Sequence, residues 1–229
     1  MTEREHLHRD GYALLRQAVT DDGLHALRAA FEGGVKPSQQ WPAPRGAGWR
    51  YSQLDHEPSV QAICRLPELL ATVGTMLGEC FFISQVEGRE PVAGSGHQPL
   101  HRDAWTLRPG DTVGALVYLD EFGPDNGATR LVPGSHRPRA DEAPFDFSDE
   151  SQAASISGRA GDILVFDVAL VHAGSRNLSG RPRRTLMISY RCESLYASHL
   201  ESRALRNVQM DTSDRFDPSG AWLRRSTPP

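Results

Sequence analysis

The feature that most constrains the fold is a series of short apolar segments separated by turn-forming residues. One of them reads DTVGALVYLD, and the others are similarly rich in β-forming side chains. These segments are residues 81–86, 111–120, 128–132, 163–167 and 183–190. Clusters of Gly, Pro and Asn lie between them and mark turns. Short strands joined by such turns indicate a jelly roll or barrel and not a parallel βαβ sheet.

Two histidines and one aspartate in the connections between these segments suggest a metal site. His101 and Asp103 are two residues apart, so on a strand they share a face at a separation of roughly 6.6 Å, and both can reach one ion. His172, on a distant segment, can supply the third ligand. A chain with 9 His and 29 acidic residues can contain an H-x-D motif by chance, so the surrounding sequence must support it. Two histidines and one carboxylate with open positions are typical of non-haem iron(II).

An arginine follows the distal histidine at the head of the last strand. Arg183 carries a planar, permanently charged guanidinium, which can bind a carboxylate through two hydrogen bonds and suits a dicarboxylate co-substrate. Its neighbour Arg184 must face the opposite way, because adjacent strand residues alternate. A strand register shifted by one residue would give Arg184 this role.

With these motifs the chain resembles the phytanoyl-CoA dioxygenase family of iron(II)- and 2-oxoglutarate-dependent oxygenases. The resemblance extends from about residue 20 to residue 190, and its motifs occur in the family order. They are residues 99–103, 125–136, 161–164 and 172–183. The resemblance implies a mainly β fold with flanking helices around a double-stranded β-helix, the cupin-like jelly roll.

The resemblance also implies the roles of individual residues. His101, Asp103 and His172 would form the catalytic iron(II) site, and Arg183 would bind the far carboxylate of 2-oxoglutarate, with O2 as the other co-substrate. Gln85 looks similar to a family glutamine that contacts the co-substrate.

The chain departs from the family pattern after the distal histidine. Many relatives have a serine two residues after it, where it helps to hold the same carboxylate as the arginine, but here that position is Gly174. Either Ser175 or Thr129 is expected to supply the hydroxyl instead. Halogenases of the wider superfamily replace the carboxylate ligand with Ala or Gly, so Asp103 indicates oxygenation.

The implied reaction is oxidation of a C–H bond, most often hydroxylation, with release of succinate and CO2. Polar residues around Arg89 favour a small polar metabolite as substrate, which His97 and Trp105 are expected to contact. Residues 33–51 are rich in Gly, Pro and Trp and have no clear periodicity, so they predict a loop that either closes over the site or is an ordinary surface loop.

Two other functions fit the same residues. One is a cupin-like hydrolase or isomerase with zinc or manganese, which leaves Arg183 without a role. The other is a metabolite-binding barrel without turnover, against which the intact ligand set argues. Metal analysis distinguishes the first from an iron oxygenase, and decarboxylation of the co-substrate distinguishes the second.

Composition limits the remaining possibilities. The 229 residues predict one oxygenase domain, with a mainly helical part at 1–80, a jelly-roll core at 81–192 and a C-terminal extension at 193–229. A net charge of -4 argues against nucleic acid, and no apolar run is long enough to span a membrane. The start of the chain lacks the pattern of a signal peptide, and the cysteines Cys64, Cys80 and Cys192 are expected to be reduced. We therefore expect a cytoplasmic monomer or homodimer that acts on a small molecule.

The N-terminal part predicts two helical stretches. Thr20 can cap a helix that extends to about Phe31, and residues 58–77 predict a second stretch broken near Pro67.

The remaining histidines are not expected to take part in the site. His136 is expected to be structural. The others, including His199, lie in polar or helix-like settings and are expected to be solvated.

Overall fold

The computed structural model describes residues 3–103, 108–137 and 145–223, with no side-chain description for residues 3–6. The described residues form five α-helices and twelve β-strands. The helices are α1 (Glu3–Asp10), α2 (Asp21–Gly33), α3 (Pro58–Ile63), α4 (Pro67–Leu77) and α5 (Tyr196–Ser202).

The strands alternate with turns along the chain, as the sequence predicts. They are β1 (Tyr12–Leu15), β2 (Val35–Lys36), β3 (Trp49–Ser52), β4 (Phe81–Pro91), β5 (Thr112–Tyr118), β6 (Thr129–Leu131), β7 (Ala154–Ile156), β8 (Ile163–Asp167), β9 (His172–Gly174), β10 (Thr185–Cys192), β11 (Arg215–Phe216) and β12 (Trp222–Leu223).

These strands form two antiparallel sheets. The major sheet has nine strands with the central order β1-β8-β5-β10-β4-β11-β12, and β3 joins it by pairing with both β4 and β2. The minor sheet has the order β7-β6-β9. The mainly β jelly roll with flanking helices is therefore confirmed. In the centre of the major sheet the paired strands are distant in sequence, as with β8 and β5 or β10 and β4, and this is typical of Greek-key topologies.

Strand register sorts the side chains of the major sheet onto two faces. Thr185 pairs with Arg89 on β4 and Tyr118 on β5, and Met187 pairs with Glu87 and Leu116. Side chains of these alternating positions share the face that looks toward the minor sheet. The intervening apolar residues, including Leu186 and Ile188, face the helices and belong to the main hydrophobic core.

The helices cover the outer face of the major sheet. The α2 helix begins after Thr20, whose hydroxyl accepts a hydrogen bond from the Gly23 amide at 3.2 Å, and it buries Leu24, Leu27 and Phe31. The helical stretch at 58–77 is interrupted as predicted, since α3 ends before Pro67, the first residue of α4. No helix in the described ranges is both long enough and apolar enough to cross a bilayer.

Residues 33–51 do not form the plain loop that the sequence predicts. Two short strands, β2 and β3, form a hairpin in this segment, and β3 extends the major sheet by pairing Trp49 with Pro91 and Tyr51 with Arg89. The prediction was wrong because the pairing partners are non-local, and a strand of four residues has too few positions for a visible alternation. The segment thus contributes to the wall of the barrel.

The C-terminal extension packs on the same sheet. Phe216 on β11 pairs with Phe81 at the start of β4, and the two rings stack with centroids 5.4 Å apart. His199 on α5 is fully buried, so the prediction that it is solvated was wrong. A buried histidine in a helix cannot be recognised when the helix that carries it shows no strong periodicity.

Candidate metal and co-substrate site

The two candidate histidines are neighbours across an antiparallel bridge. The His101 amide donates to the His172 carbonyl at 3.0 Å, and the His172 amide donates to the His101 carbonyl at 2.9 Å. Their ring centroids lie 4.5 Å apart. The bridge therefore brings together two residues that are far apart in sequence.

Backbone carbonyls determine which ring nitrogen of each histidine is free. His101 Nδ1 lies 2.9 Å from the Pro99 carbonyl, and His172 Nδ1 lies 2.9 Å from the Leu170 carbonyl. A carbonyl can only accept, so each Nδ1 must carry the proton and donate it. Both Nε2 atoms consequently have a lone pair available for a metal ion, the arrangement expected of histidine ligands.

The Asp103 carboxylate lies between the two Nε2 atoms. Its Oδ1 is 3.5 Å from His101 Nε2, and its Oδ2 is 3.6 Å from His172 Nε2. Burial raises the pKa of the Asp103 carboxyl, but the two imidazoles outweigh this and hold that pKa well below its usual range. The Asp103 carboxylate beside Nε2 in turn raises the pKa of His101. The ligand atoms of all three residues lie within 4.8 Å of one another, so they fit a single cation.

A second group of possible ligands in the described residues is a poorer fit to a metal. Glu79, Asp111 and Cys192 converge, but Asp111 already accepts hydrogen bonds from the backbone and guanidinium of Arg108. Burial and the neighbouring Glu79 raise the pKa of the Cys192 thiol. A protonated thiol is a poor metal ligand.

Arg183 lies in the interior and has no charged partner among the residues that the structure describes. Its side chain is buried, and its Cζ lies 4.7 Å from the centroid of Phe122 and 5.9 Å from that of Trp49. Its Nε and Nη1 have no hydrogen-bond partner among the described residues. Burial lowers the pKa of Arg183 to about 10, so the group stays charged near neutral pH. A buried unpaired cation is costly and calls for an anionic ligand.

One cavity of about 80 Å³ contains both features. The metal-ligand triad and Arg183 line it together, between the major and minor sheets. The other lining residues are Trp49, Arg89, Gln98, Leu116, Thr129, Phe166, Ala173, Gly174, Thr185 and Met187. A dicarboxylate in this cavity can reach a metal at one end and a guanidinium at the other.

Of the two candidate hydroxyls that could replace a serine at Gly174, the structure places one at the cavity. Thr129 is buried and lines the cavity, opposite Gly174 in the β6–β9 ladder, whereas Ser175 is not among the lining residues. A Cβ at position 174 would lie 2.8 Å from the Gly96 carbonyl and 3.0 Å from Gln98 Oε1. A serine therefore does not fit at this position without displacing its neighbours.

Two other residues predicted to contact a ligand do not line this cavity, and a third is not described. Gln85 is on the inner face of β4, but its amide donates to Glu87 at 3.1 Å and its carbonyl oxygen accepts from Arg206 at 3.1 Å. His97 is exposed and is not among the lining residues. Trp105 lies outside the described residues.

Sequence reasoning missed several lining residues, among them Trp49, Gln98 and Arg89. Trp49 reaches the cavity through β3, which pairs with β4, and no local pattern predicts that pairing. Gln98 accepts a hydrogen bond from the Gly174 amide at 3.0 Å, and its position three residues before His101 was the available signal. The sequence identifies Arg89 only as a polar residue, and strand register alone places it beside the metal site.

Comparisons with known proteins agree with this geometry. The sequence profile of the Phytanoyl-CoA dioxygenase (PhyH) family matches residues 7–185. The chain is 36% identical to Dioxygenase cdmD of Talaromyces verruculosus over 107 residues, which is 42% of this chain and 34% of that relative, so the chain spans about a third of its length. It is 23% identical to L-proline trans-4-hydroxylase of Streptomyces griseoviridis over 80% of this chain and 82% of the relative.

A solved structure shows the same fold. HygX from Streptomyces hygroscopicus, crystallised with nickel, 2-oxoglutarate and hygromycin B, superposes with a TM-score of 0.68 at 18% identity. The match covers 84% of this chain and 88% of that one.

Proposed function

Because this chain belongs to the phytanoyl-CoA dioxygenase family, we propose that it is an iron(II)- and 2-oxoglutarate-dependent dioxygenase that hydroxylates a C–H bond of a small polar metabolite. Succinate and CO2 are the by-products. The observation that carries this proposal is the shared cavity, which holds three convergent metal-ligand atoms and the unpaired guanidinium of Arg183.

His101, Asp103 and His172 are the proposed iron(II) ligands. Two imidazole nitrogens and one carboxylate are the donor set that non-haem iron oxygenases use, and three ligands leave coordination positions for co-substrate and oxygen. When bound, iron(II) with 2-oxoglutarate and O2 supplies the oxidising power that no side chain of the protein has. The chain itself orients the ligands, through the two backbone carbonyls that hold each Nδ1.

Arg183 is the proposed partner of the far carboxylate of 2-oxoglutarate. Pairing with that carboxylate would satisfy the two nitrogens that have no partner among the described residues. Thr129 lines the same cavity and is the proposed hydroxyl that assists it. The rings of Phe122 and Trp49 beside Arg183 exclude water, which strengthens the ion pair.

A small polar substrate agrees with the cavity and with the relatives. The cavity is small, and Arg89 and Gln98 add polar groups to its wall. The relative from Streptomyces griseoviridis is named for an amino acid substrate, and HygX was crystallised with hygromycin B, so both names point to polar molecules. We further propose that the protein acts in the cytoplasm as a monomer or homodimer.

The test is an anaerobic titration of the purified apoprotein with iron(II) and 2-oxoglutarate, followed by visible absorption. We expect the weak charge-transfer band that requires both on one metal, and we expect His172→Ala to lose it. His56→Ala is the matched control, because this side chain is 57% exposed and is not among the residues that line the cavity, and it should keep the band. Iron binding without the band would refute the dioxygenase proposal and favour a hydrolase or a binding barrel.

A further inference from the structure

A second guanidinium reaches the metal site from strand β4. Arg89 lines the cavity together with His101 and Asp103, and its side chain is 32% exposed, whereas Arg183 is 3% exposed. Arg89 Nε donates to Glu87 Oε1. Within the described part of the chain, its terminal nitrogens, Nη1 and Nη2, make no hydrogen bond, so one edge of the guanidinium is held and the other is free.

The carboxylate that holds Arg89 is shared with other donors. Glu87 is buried, and its Oε2 accepts from Arg45 Nη2 at 2.7 Å and from Gln85 Nε2 at 3.1 Å. Arg45 is itself fixed, because its Cζ lies 4.5 Å from the ring centroid of Trp41. Two guanidiniums therefore face a single carboxylate, and the group keeps one surplus positive charge.

Among the residues that the structure describes, the rest of the proposed site has no charge left to neutralise this surplus. The two positive charges of iron(II) and the one of Arg183 match the negative charge of Asp103 and the two carboxylates of 2-oxoglutarate. Burial makes an unmatched charge unfavourable unless a counter-ion binds. The surplus positive charge of the Arg45–Glu87–Arg89 group can thus pair with the remaining ligand of the cavity, the primary substrate.

We propose that Arg89 binds the carboxylate of the primary substrate and that this substrate is a small monocarboxylic acid. The inference rests on the proposed function and adds a substrate class to it. A single surplus charge matches a carboxylate better than a phosphate dianion, and a guanidinium edge with two free nitrogens binds a carboxylate through two hydrogen bonds. The greater exposure of Arg89 assigns it to the substrate, and the deep burial of Arg183 assigns that residue to the co-substrate.

The experiment begins with anaerobic enzyme loaded with iron(II) and 2-oxoglutarate. Small carboxylic acids, namely the common amino acids and short hydroxy acids, are added one at a time beside their primary amides and beside small phosphate monoesters. Binding is read as a change in the charge-transfer band, since a substrate beside the metal perturbs its coordination. We expect at least one acid to bind about 10- to 100-fold more tightly than its amide.

Variants connect this preference to Arg89. Arg89→Met should bind the acid and its amide equally, Arg89→Lys should keep part of the preference, and both should keep the band itself. Arg50→Met is the matched control, because Arg50 lies on the adjacent strand and pairs with Glu32 and Glu90, and it should behave as the wild type.

Each contrary result has a distinct meaning. Absence of the band in the wild type refutes the proposed function. Three results with a normal band would refute this inference alone. They are no response to any acid, equal binding of acid and amide by the wild type, and an unchanged preference for the acid in Arg89→Met. Tighter binding of a phosphate monoester would refute a carboxylic acid as the substrate. Loss of the band in Arg89→Met would show that Arg89 binds the co-substrate instead.

Discussion

Arg184 forms a bidentate ion pair with Asp120, in which Nη2 lies 2.8 Å from Oδ1 and Nε lies 3.0 Å from Oδ2. Its neighbour Arg183 points the other way, into the cavity, and has no carboxylate partner among the described residues. The sequence left open which of the two faces inward. Thr185, the first residue of β10, lines the cavity, and Arg183 two residues before it faces the same way. The ion pair to Asp120 shows why the alternative is disfavoured, since it would break two charge-assisted hydrogen bonds.

Replacement of Arg183 with Met should weaken 2-oxoglutarate binding by about 2–4 kcal/mol, because a buried charged partner of the carboxylate is lost. The free energy of unfolding should stay equal or rise, since the substitution removes an unpaired buried charge. Titration of the iron-loaded protein and urea unfolding measure the two effects. Arg184→Met is the control, and it should keep the affinity for 2-oxoglutarate but lower the free energy of unfolding. An unchanged affinity in Arg183→Met would contradict the assignment of Arg183 to the co-substrate carboxylate.

Asp103→Ala should abolish turnover and lower the affinity for iron(II) by more than about 100-fold, which exceeds the usual effect of losing a supporting group around a metal. Iron content after equilibrium dialysis and succinate formation are the measurements. Glu121→Ala removes a carboxylate whose side chain is 71% exposed, and it should change neither quantity. Full turnover in the Asp103 variant would exclude this residue from the ligand set.

His199 should make stability depend on pH. Its Nδ1 accepts from Arg206 Nη2 at 2.7 Å, and its Nε2 lies 3.1 Å from Thr212 Oγ1, so the folded state needs the neutral ring. Burial, together with nearby arginines, lowers the pKa of His199 from 6.5 to about 4. The unfolded chain therefore takes up the proton first, and stability that is complete above pH 6.5 is lost as the pH falls toward 4.

The measurement is the free energy of unfolding of the wild type and of His199→Gln at pH 7 and pH 5. We expect the advantage of the wild type to shrink by about 1–2 kcal/mol at the lower pH. Other groups titrate in both proteins and cancel in the difference. An advantage that does not change with pH would show that His199 is not held neutral.

Gly88 should tolerate no side chain. A Cβ at this position on β4 would lie 2.7 Å from the Phe31 ring and 2.7 Å from Ser52 Cβ, so Gly88→Ala should destabilise the protein by about 1–3 kcal/mol through overpacking. Gly33→Ala is the control, because nothing lies within 4 Å of its Cβ position. Urea unfolding compares them, and equal stability of the two variants would show that α2 can move away from the sheet.

The sequence predicts those parts of the site that depend on short-range geometry. The ligand atoms of His101 and Asp103 converge because the residues are only two apart, although neither belongs to one of the twelve strands and only His101 forms a β-bridge. Thr20 caps α2 through a contact within one turn. The jelly roll was likewise predictable, since alternating apolar segments and turn residues specify short strands.

The parts that could not be predicted depend on which strands become neighbours. Gln85 and Arg89 lie on the same face of β4, and nothing local shows that the cavity is beside Arg89 while Gln85 is bonded to Glu87 and Arg206. Trp49 enters the cavity through a strand pairing between residues that are far apart in sequence. Such contacts follow from the whole topology, which a single sequence does not display.

The two backbone hydrogen bonds between His101 and His172 have a consequence for metal exchange. They set the distance between the two histidines without help from any side chain or ion. The conformational entropy of bringing the two histidines together is therefore lost when the chain folds, and not when a cation binds. The affinity for a metal ion then reflects the coordination preference of that ion. A chelator should remove the ion and leave the protein folded, whereas a zinc finger unfolds when it loses its metal.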